Sequence, residues 1–146
     1  MLEIKEKVIV SACLVGENCK YNGKNNKNDK IIDFLKDKEV ILVCPEVMGG
    51  LSTPRFKSEI VEGSEKVINE LGEDVSNYFH SGARIAIEKV IDSDVKLAIV
   101  KEKSPSCGYK KIYNGKFDGT KIDGSGIFTR LLIEKGIKIL TEEDFE

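Results

Sequence analysis

The run "KVIVSAC", residues 7–13, decides how the chain is read: an unbroken apolar stretch with β-branched Val8, Ile9 and Val10, closed by a cysteine. A half-exposed strand would alternate apolar with polar residues, so a continuous run points to a strand covered on both faces, as in a parallel sheet. Three further runs share its character: "EVILVC" (39–44), "VKLAIV" (95–100) and "GIKIL" (136–140). Between them the spacing predicts helices. "NDKIIDFLKDK" (28–38) has Asn28 as its cap and presents Ile31, Ile32, Phe34 and Leu35. Residues 74–91 repeat Val75, Tyr78, Phe79, Gly82, Ala86 and Val90 at three- and four-residue steps, which makes one apolar face. "SGIFTRLLIEKG" (125–136) starts at a capping Ser125 and stops at Gly136. Strand and helix alternate, which predicts an α/β fold with a mainly parallel sheet.

Three segments fall outside that alternation. "KIYNGKFDG" (111–119) holds Asn114-Gly115, a strong signal for a small β-hairpin. "MGGLSTPRFKSEIVEG" (48–63) reads as a long binding loop or lid, and the acidic end "TEEDFE" as a frayed terminus. At 146 residues and 40% hydrophobic content, the chain suits one compact domain spanning 1–146. The 23 basic and 25 acidic side chains leave a formal charge of −2, with no global attraction to phosphate backbones or anionic membranes. Binding a large RNA would need a local patch, such as Lys20, Lys24, Lys27 and Lys30 gathered at the site. The N-terminus lacks signal-peptide character and no apolar run approaches the roughly 20 residues of a membrane span, so a cytoplasmic protein with reduced thiols is expected.

The cysteines then become the informative residues. Cys13 follows the first strand, Cys44 closes the second, and Cys107 of "SPSCG" lies just beyond the third. The carboxyl ends of parallel strands are where α/β sheets bind ligands, so thiols 30 and 62 intervening residues apart converge there. Converging thiolates repel one another unless a cation offsets their charge. Three soft thiolates without histidine favour an iron–sulfur cluster, with zinc and a water ligand as the alternative. His80, the single histidine, sits in the long helix and reads as a surface or packing residue. Cys19 is open between a fourth ligand, a sulfur-carrying thiol and an ordinary loop residue.

Five motifs in order, "SACLVGENCKYNG" (11–23), "CPEVMGGLSTPR" (44–55), "KEKSPSCG" (101–108), "IYNGKFDG" (112–119) and "GSGIFTRLL" (124–132), resemble the domain-of-unknown-function 523 family, which includes the thiouracil desulfidases. The resemblance implies a Rossmann-like three-layer α/β domain. It further implies a [4Fe-4S] cluster held by Cys13, Cys44 and Cys107, removal of sulfur from a thiolated base such as 2-thiouracil without net redox chemistry, and Glu46 and Ser104 as the acid/base pair. An iron open to substrate would act as a Lewis acid on the thiocarbonyl, with Glu46 taking the proton of the attacking water.

Each of these residues has a plainer reading: Glu46 as an ion pair with Arg55 or Lys20, Ser104 as a turn hydroxyl bonding local backbone. Ser11, Cys19, Tyr21, Arg55 and Ser106 are candidates for touching substrate or supporting the ligands, and Tyr113 shares with Tyr21 a flat face on which a base could stack. The "GSG" at 124–126 opens a helix and would suit an anion, although the full dinucleotide pattern is absent. Two other functions fit the same residues: cluster-dependent sulfur transfer to a nucleoside or tRNA, and a non-catalytic metal or thiol sensor closed by Cys19.

Overall fold

The computed structural model describes residues 5–91 and 93–146. In chain order its elements are β1 (Lys7–Ser11), α1 (Asp29–Phe34), β2 (Glu39–Val43), α2 (Pro45–Met48), β3 (Ser58–Ile60), β4 (Val67–Asn69), α3 (Ser76–Glu88), β5 (Leu97–Val100), β6 (Lys111–Tyr113), β7 (Lys121–Asp123), α4 (Ile127–Glu134) and β8 (Lys138–Thr141). The four apolar runs pair into one parallel sheet of order β2-β1-β5-β8. The chain places β2 on one side of β1 and β5 on the other. The strand order therefore reverses at β1, and the crevice beyond the ends of β1 and β5 is the position where such sheets bind ligands.

Coverage on both faces accounts for the missing alternation in the strands. Val8, Val10, Leu97 and Ile99 pack with Ile31 and Leu35 of the α1 segment on one side. Ile9, Val43, Ala98, Val100 and Ile139 pack with Phe79, Ala83, Ile87, Phe128 and Leu132 of α3 and α4 on the other. The result is three layers, with the sheet in the middle. Val8, Ile9, Val10 and Ile99 lose all contact with solvent, and burying each such side chain contributes roughly 1.5–3 kcal/mol.

Several boundaries differ from the sequence expectation for identifiable reasons. Asn28 does cap α1 by accepting from Ile31 N at 3.0 Å, but the helix tightens into a 3-10 turn over Leu35–Asp37. Tyr78, expected on the apolar face of the long helix, is exposed, because that helix meets α2 backbone to backbone. A Cβ on Gly82 would lie 1.8 Å from Pro45 O and one on Gly49 would lie 2.0 Å from Tyr78 O, so both positions require glycine.

Ser125 does not cap α4: its hydroxyl donates to Tyr109 O at 2.6 Å, and Gly126 takes the cap position. The α4 amides of Ile127 and Phe128 donate to Pro105 O and Ser106 O, so they are not free for an anion.

The β6–β7 hairpin exists, but a seven-residue connection from Asn114 to Thr120 joins its strands rather than a tight Asn-Gly turn. Gly115 serves packing, since a Cβ there would lie 2.6 Å from Ile60 O. The long loop expected over 48–63 starts at the last residue of α2 and holds β3, which forms a second hairpin with β4. The three-residue strands β3 and β4 are too short to show a period. The C-terminus is not frayed: Thr141 and Asp144 form a reciprocal capping box, and Phe145 stacks edge-on with Phe34 at 5.4 Å. No described helix is long and apolar enough to cross a membrane.

Candidate functional site

The three strand-end thiols sit on three different kinds of turn. Cys13 lies in a 3-10 turn (Ala12–Val15) directly after β1, which ends at Gly16 with φ +102°. Cys44 precedes α2, whose first residue is Pro45, a type pre-shaped for a helix start. Cys107 lies in the loop after β5 and is buried. All three line one cavity of about 760 Å³, and Cys19 lines it too.

Each of the three has a polar partner. Asn26 Nδ2 donates to Cys13 Sγ at 3.3 Å, and the Ser11 side chain, which accepts from Lys101 N at 3.1 Å, lies near enough to Cys107 to favour its thiolate. The Cys44 thiol donates to Cys19 O at 3.8 Å; as a thiolate it accepts from the Cys19 thiol instead, which with lesser contributions brings Cys44 down to about 7 and pushes Cys19 up. Burial pushes Cys107 and Cys13 up, opposed by those same polar neighbours. Among the described residues, no three His, Cys, Asp or Glu side chains are grouped as they would be round a metal ion.

Glu46, on α2, reaches back across the cavity wall. Its Oε1 accepts from Arg55 Nε at 3.0 Å and its Oε2 from Ser106 Oγ at 3.1 Å. Arg55 is nearly buried and makes three further bonds: Nη1 donates to Ser52 O and Thr53 Oγ1, and Nη2 to Cys19 O at 2.8 Å. Ser104 Oγ accepts from the amides of Ser106 (3.1 Å) and Cys107 (3.0 Å), which shapes the turn and leaves the hydroxyl proton to be donated elsewhere.

A profile of the 2-thiouracil desulfurase family matches residues 8–144. The chain belongs to that family. The Bacillus subtilis (strain 168) protein YbbK, itself uncharacterized, is 37% identical over 145 residues, with 94% of this chain and 96% of YbbK covered. The solved structure of TudS, described as a [4Fe-4S]-dependent thiouracil desulfidase, superposes with a TM-score of 0.88 at 40% identity, covering 96% of this chain and 93% of that one.

In this member of the 2-thiouracil desulfurase family, the cavity gathers Ser11, Cys13, Cys19, Tyr21, Cys44, Glu46, Arg55, Ser104 and Cys107, and Tyr113 as well. Ser106 is buried behind Glu46. Arg55 lies in the cavity wall rather than on the open surface, where it makes the ion pair with Glu46. Of the four lysines considered as an RNA patch, Lys20 lines the cavity and Lys24, Lys27 and Lys30 do not. His80 lies outside it, with Nε2 2.7 Å from Glu65 O.

Three residues escaped the sequence reading. Asn26 stands in a polar run that carries no signal of its own. Glu102 is 2% exposed; its Oε1 accepts from the amides of Tyr109 (2.7 Å), Lys110 (3.0 Å) and Lys111 (3.2 Å), and its Oε2 is buried without a partner. Glu59, also buried, accepts from Gly115 N and Phe117 N. The charged residues inside "KEKSPSC" and "FKSEI" look solvent-facing, and only the fold shows otherwise.

Proposed function

We propose that this family member is a [4Fe-4S]-dependent desulfidase of thiolated nucleobases such as 2-thiouracil, acting as one α/β domain in the cytoplasm, with Cys13, Cys44 and Cys107 as the cluster ligands. The observation that carries the reading is that these three thiols, at the ends of the neighbouring strands β2, β1 and β5, line one cavity and each has a polar neighbour. Partners of that kind support thiolate charge and tune metal centres. Thiols that line one cavity, with no three ligand-type side chains closed on one point among the described residues, suit a group of several metal atoms better than a lone zinc ion.

A cluster with one iron free of protein ligands supplies a Lewis acid for the substrate's sulfur. The reaction is a hydrolysis: water adds to the thiocarbonyl carbon, the carbon–sulfur bond breaks, and the products are the oxo base and hydrosulfide, with no electrons exchanged. Glu46 receives the proton of the attacking water. Each of its carboxylate oxygens accepts one bond from the protein and keeps a further lone pair for that proton. Arg55 and Ser106 hold the carboxylate in place, and the Ser104 hydroxyl, whose oxygen is anchored by two amides, points its one proton to the leaving sulfur or the ring.

The cavity of about 760 Å³ counts against a sensor sealed by Cys19, and the formal charge of −2 on the chain counts against tRNA, whose binding rests on a basic face. The test is anaerobic reconstitution, analysis of iron and sulfide, and measurement of hydrosulfide released from 2-thiouracil. About four irons per chain are expected for this cluster type, lost on changing Cys13, Cys44 or Cys107 to alanine. Glu46→Gln, which preserves an acceptor for Arg55, should keep the cluster and lose roughly 10²–10⁴-fold in turnover. Stoichiometric zinc without iron uptake overturns the reading.

A further inference from the structure

Three aromatic side chains line the cavity while belonging to neither apolar core: Tyr21, Tyr113 and Phe117. Two of them are engaged by cations. The ammonium groups of Lys20 and Lys57 lie 5.8 and 5.5 Å from the Tyr21 ring centre, and that of Lys121 lies 5.9 Å from Tyr113. Phe117 is only partly exposed and has no such neighbour among the described residues.

Its backbone is the unusual feature. Phe117 has φ +55°, in the left-handed region that costs a side-chain-bearing residue conformational energy. Gly115 and Gly119 take positive φ in the same loop, and glycine at 117 would adopt the conformation without that cost.

The loop is fastened so that the strain persists. Glu59 Oε1 on β3 accepts from Gly115 N at 3.0 Å and Phe117 N at 3.2 Å, gripping the turn on both sides of Lys116. Asn114 Oδ1 accepts from Lys116 N at 2.9 Å, and Gly115 sits against the Ile60 carbonyl. Residues held in sparsely populated conformations persist where their surroundings over-determine them, and they gather at ligand clamps. Here the restraint falls on the backbone, and the ring is left to the cavity.

We propose that Phe117 is a specificity-determining residue, the flat apolar face on which the ring of a thiolated heterocycle stacks in the cavity that holds the thiols. The inference rests on the desulfidase reading and deepens it, because it names the residue that selects a planar ring. Stacking needs a π-face rather than apolar bulk, so tyrosine should replace Phe117 and leucine should not.

The experiment compares the anaerobically reconstituted wild type with Phe117→Tyr, Phe117→Leu and Phe117→Gly, reading iron content, melting temperature, and KM and kcat for 2-thiouracil. Phe117→Gly should keep its iron and melt no lower than wild type, while KM rises roughly tenfold or more, in line with the loss of a base-stacking aromatic. Phe117→Tyr should hold KM near wild type, and Phe117→Leu should raise it with Phe117→Gly.

A purely structural role would lower the melting temperature and leave KM alone, and that result overturns the proposal, as does a leucine variant with wild-type KM. If the wild type binds iron but releases no hydrosulfide, the desulfidase reading falls on its own, and calorimetric titration with 2-thiouracil decides this one. Binding that Phe117→Gly weakens supports it; no binding, or equal binding, overturns it.

Discussion

The loop that carries Cys107 and the loop that carries Cys13 and Cys19 do the same task, holding a thiol at the end of a strand, by opposite means. The Cys107 loop is built inside the protein. Glu102 collects the amides of residues 109–111, Ser104 those of Ser106 and Cys107, and α4 donates its first amides to Pro105 O and Ser106 O. Thr129, fully buried, adds a bond to Cys107 O at 2.8 Å. The loop from Cys13 to Asn28 is held by its own backbone bonds, Asn26 N and Asn28 N donating to Cys13 O and Leu14 O, and by asparagine side chains at or near the surface, with Asn25 bonding Asn18 and Asn26 reaching Cys13. Buried donors and acceptors are costly to leave unpaired, whereas water replaces exposed ones. The difference teaches that one thiol is set by the core and another by groups that can be exchanged without unfolding the chain.

The comparison predicts a graded set of outcomes. The largest effect belongs to Glu102→Ala, which removes the buried oxygen that gathers the amides of Lys103 and residues 109–111 and should cost about 3 kcal/mol, read as a lower urea midpoint together with loss of iron. Gly126→Ala comes next. A Cβ there would lie 2.4 Å from the Ser106 carbonyl carbon and oxygen, wedging α4 off the Cys107 loop at about 1–3 kcal/mol. Gly23→Ala is its counterpart in the surface loop, where a Cβ meets nothing within 4 Å and only the φ of +79° is strained, for about 1 kcal/mol. Equal losses in the two glycine variants would break the contrast.

Asn26→Ala should leave the urea midpoint nearly unchanged and weaken iron retention against a chelator by roughly tenfold, as expected for a group that supports a ligand. Cys19→Ala should disturb the fold least and keep the iron. In the metal-free protein it removes the thiol that lowers Cys44 to about 7, so Cys44 should be alkylated by iodoacetamide several-fold more slowly at pH 7. An unchanged rate would remove Cys19 as the partner of that thiolate.

The residues that a sequence reading finds differ in kind from those it misses. Val8, Ile9 and Val10 announce a strand because burial on two faces must be encoded locally, as an unbroken apolar run. Cys13, Cys44 and Cys107 stand out because each immediately follows or closely trails such a run. Glu102 and Glu59 do not, since a glutamate between lysines looks the same in solvent as in a pocket of amides. The Glu46–Ser106 bond joins residues 60 apart, and the grip of Glu59 on Phe117 spans 58, distances over which no local pattern carries information.

Ser125 was misread for a related reason. Its position suits a cap, but the helix N-terminus it would have capped was already satisfied by the Cys107 loop.

By itself, then, the sequence determined the alternation of strands and helices, the parallel sheet and the placing of three thiols at its carboxyl edge, because period and burial are properties of short segments. Only the tertiary structure decided that Glu46 is clasped between Arg55 and Ser106, that Glu102 ties down the Cys107 loop, and that Phe117 is held in a left-handed turn against the cavity. Those arrangements depend on polar groups meeting across the fold, where the loss of water makes each unpaired donor or acceptor costly enough to dictate its partner.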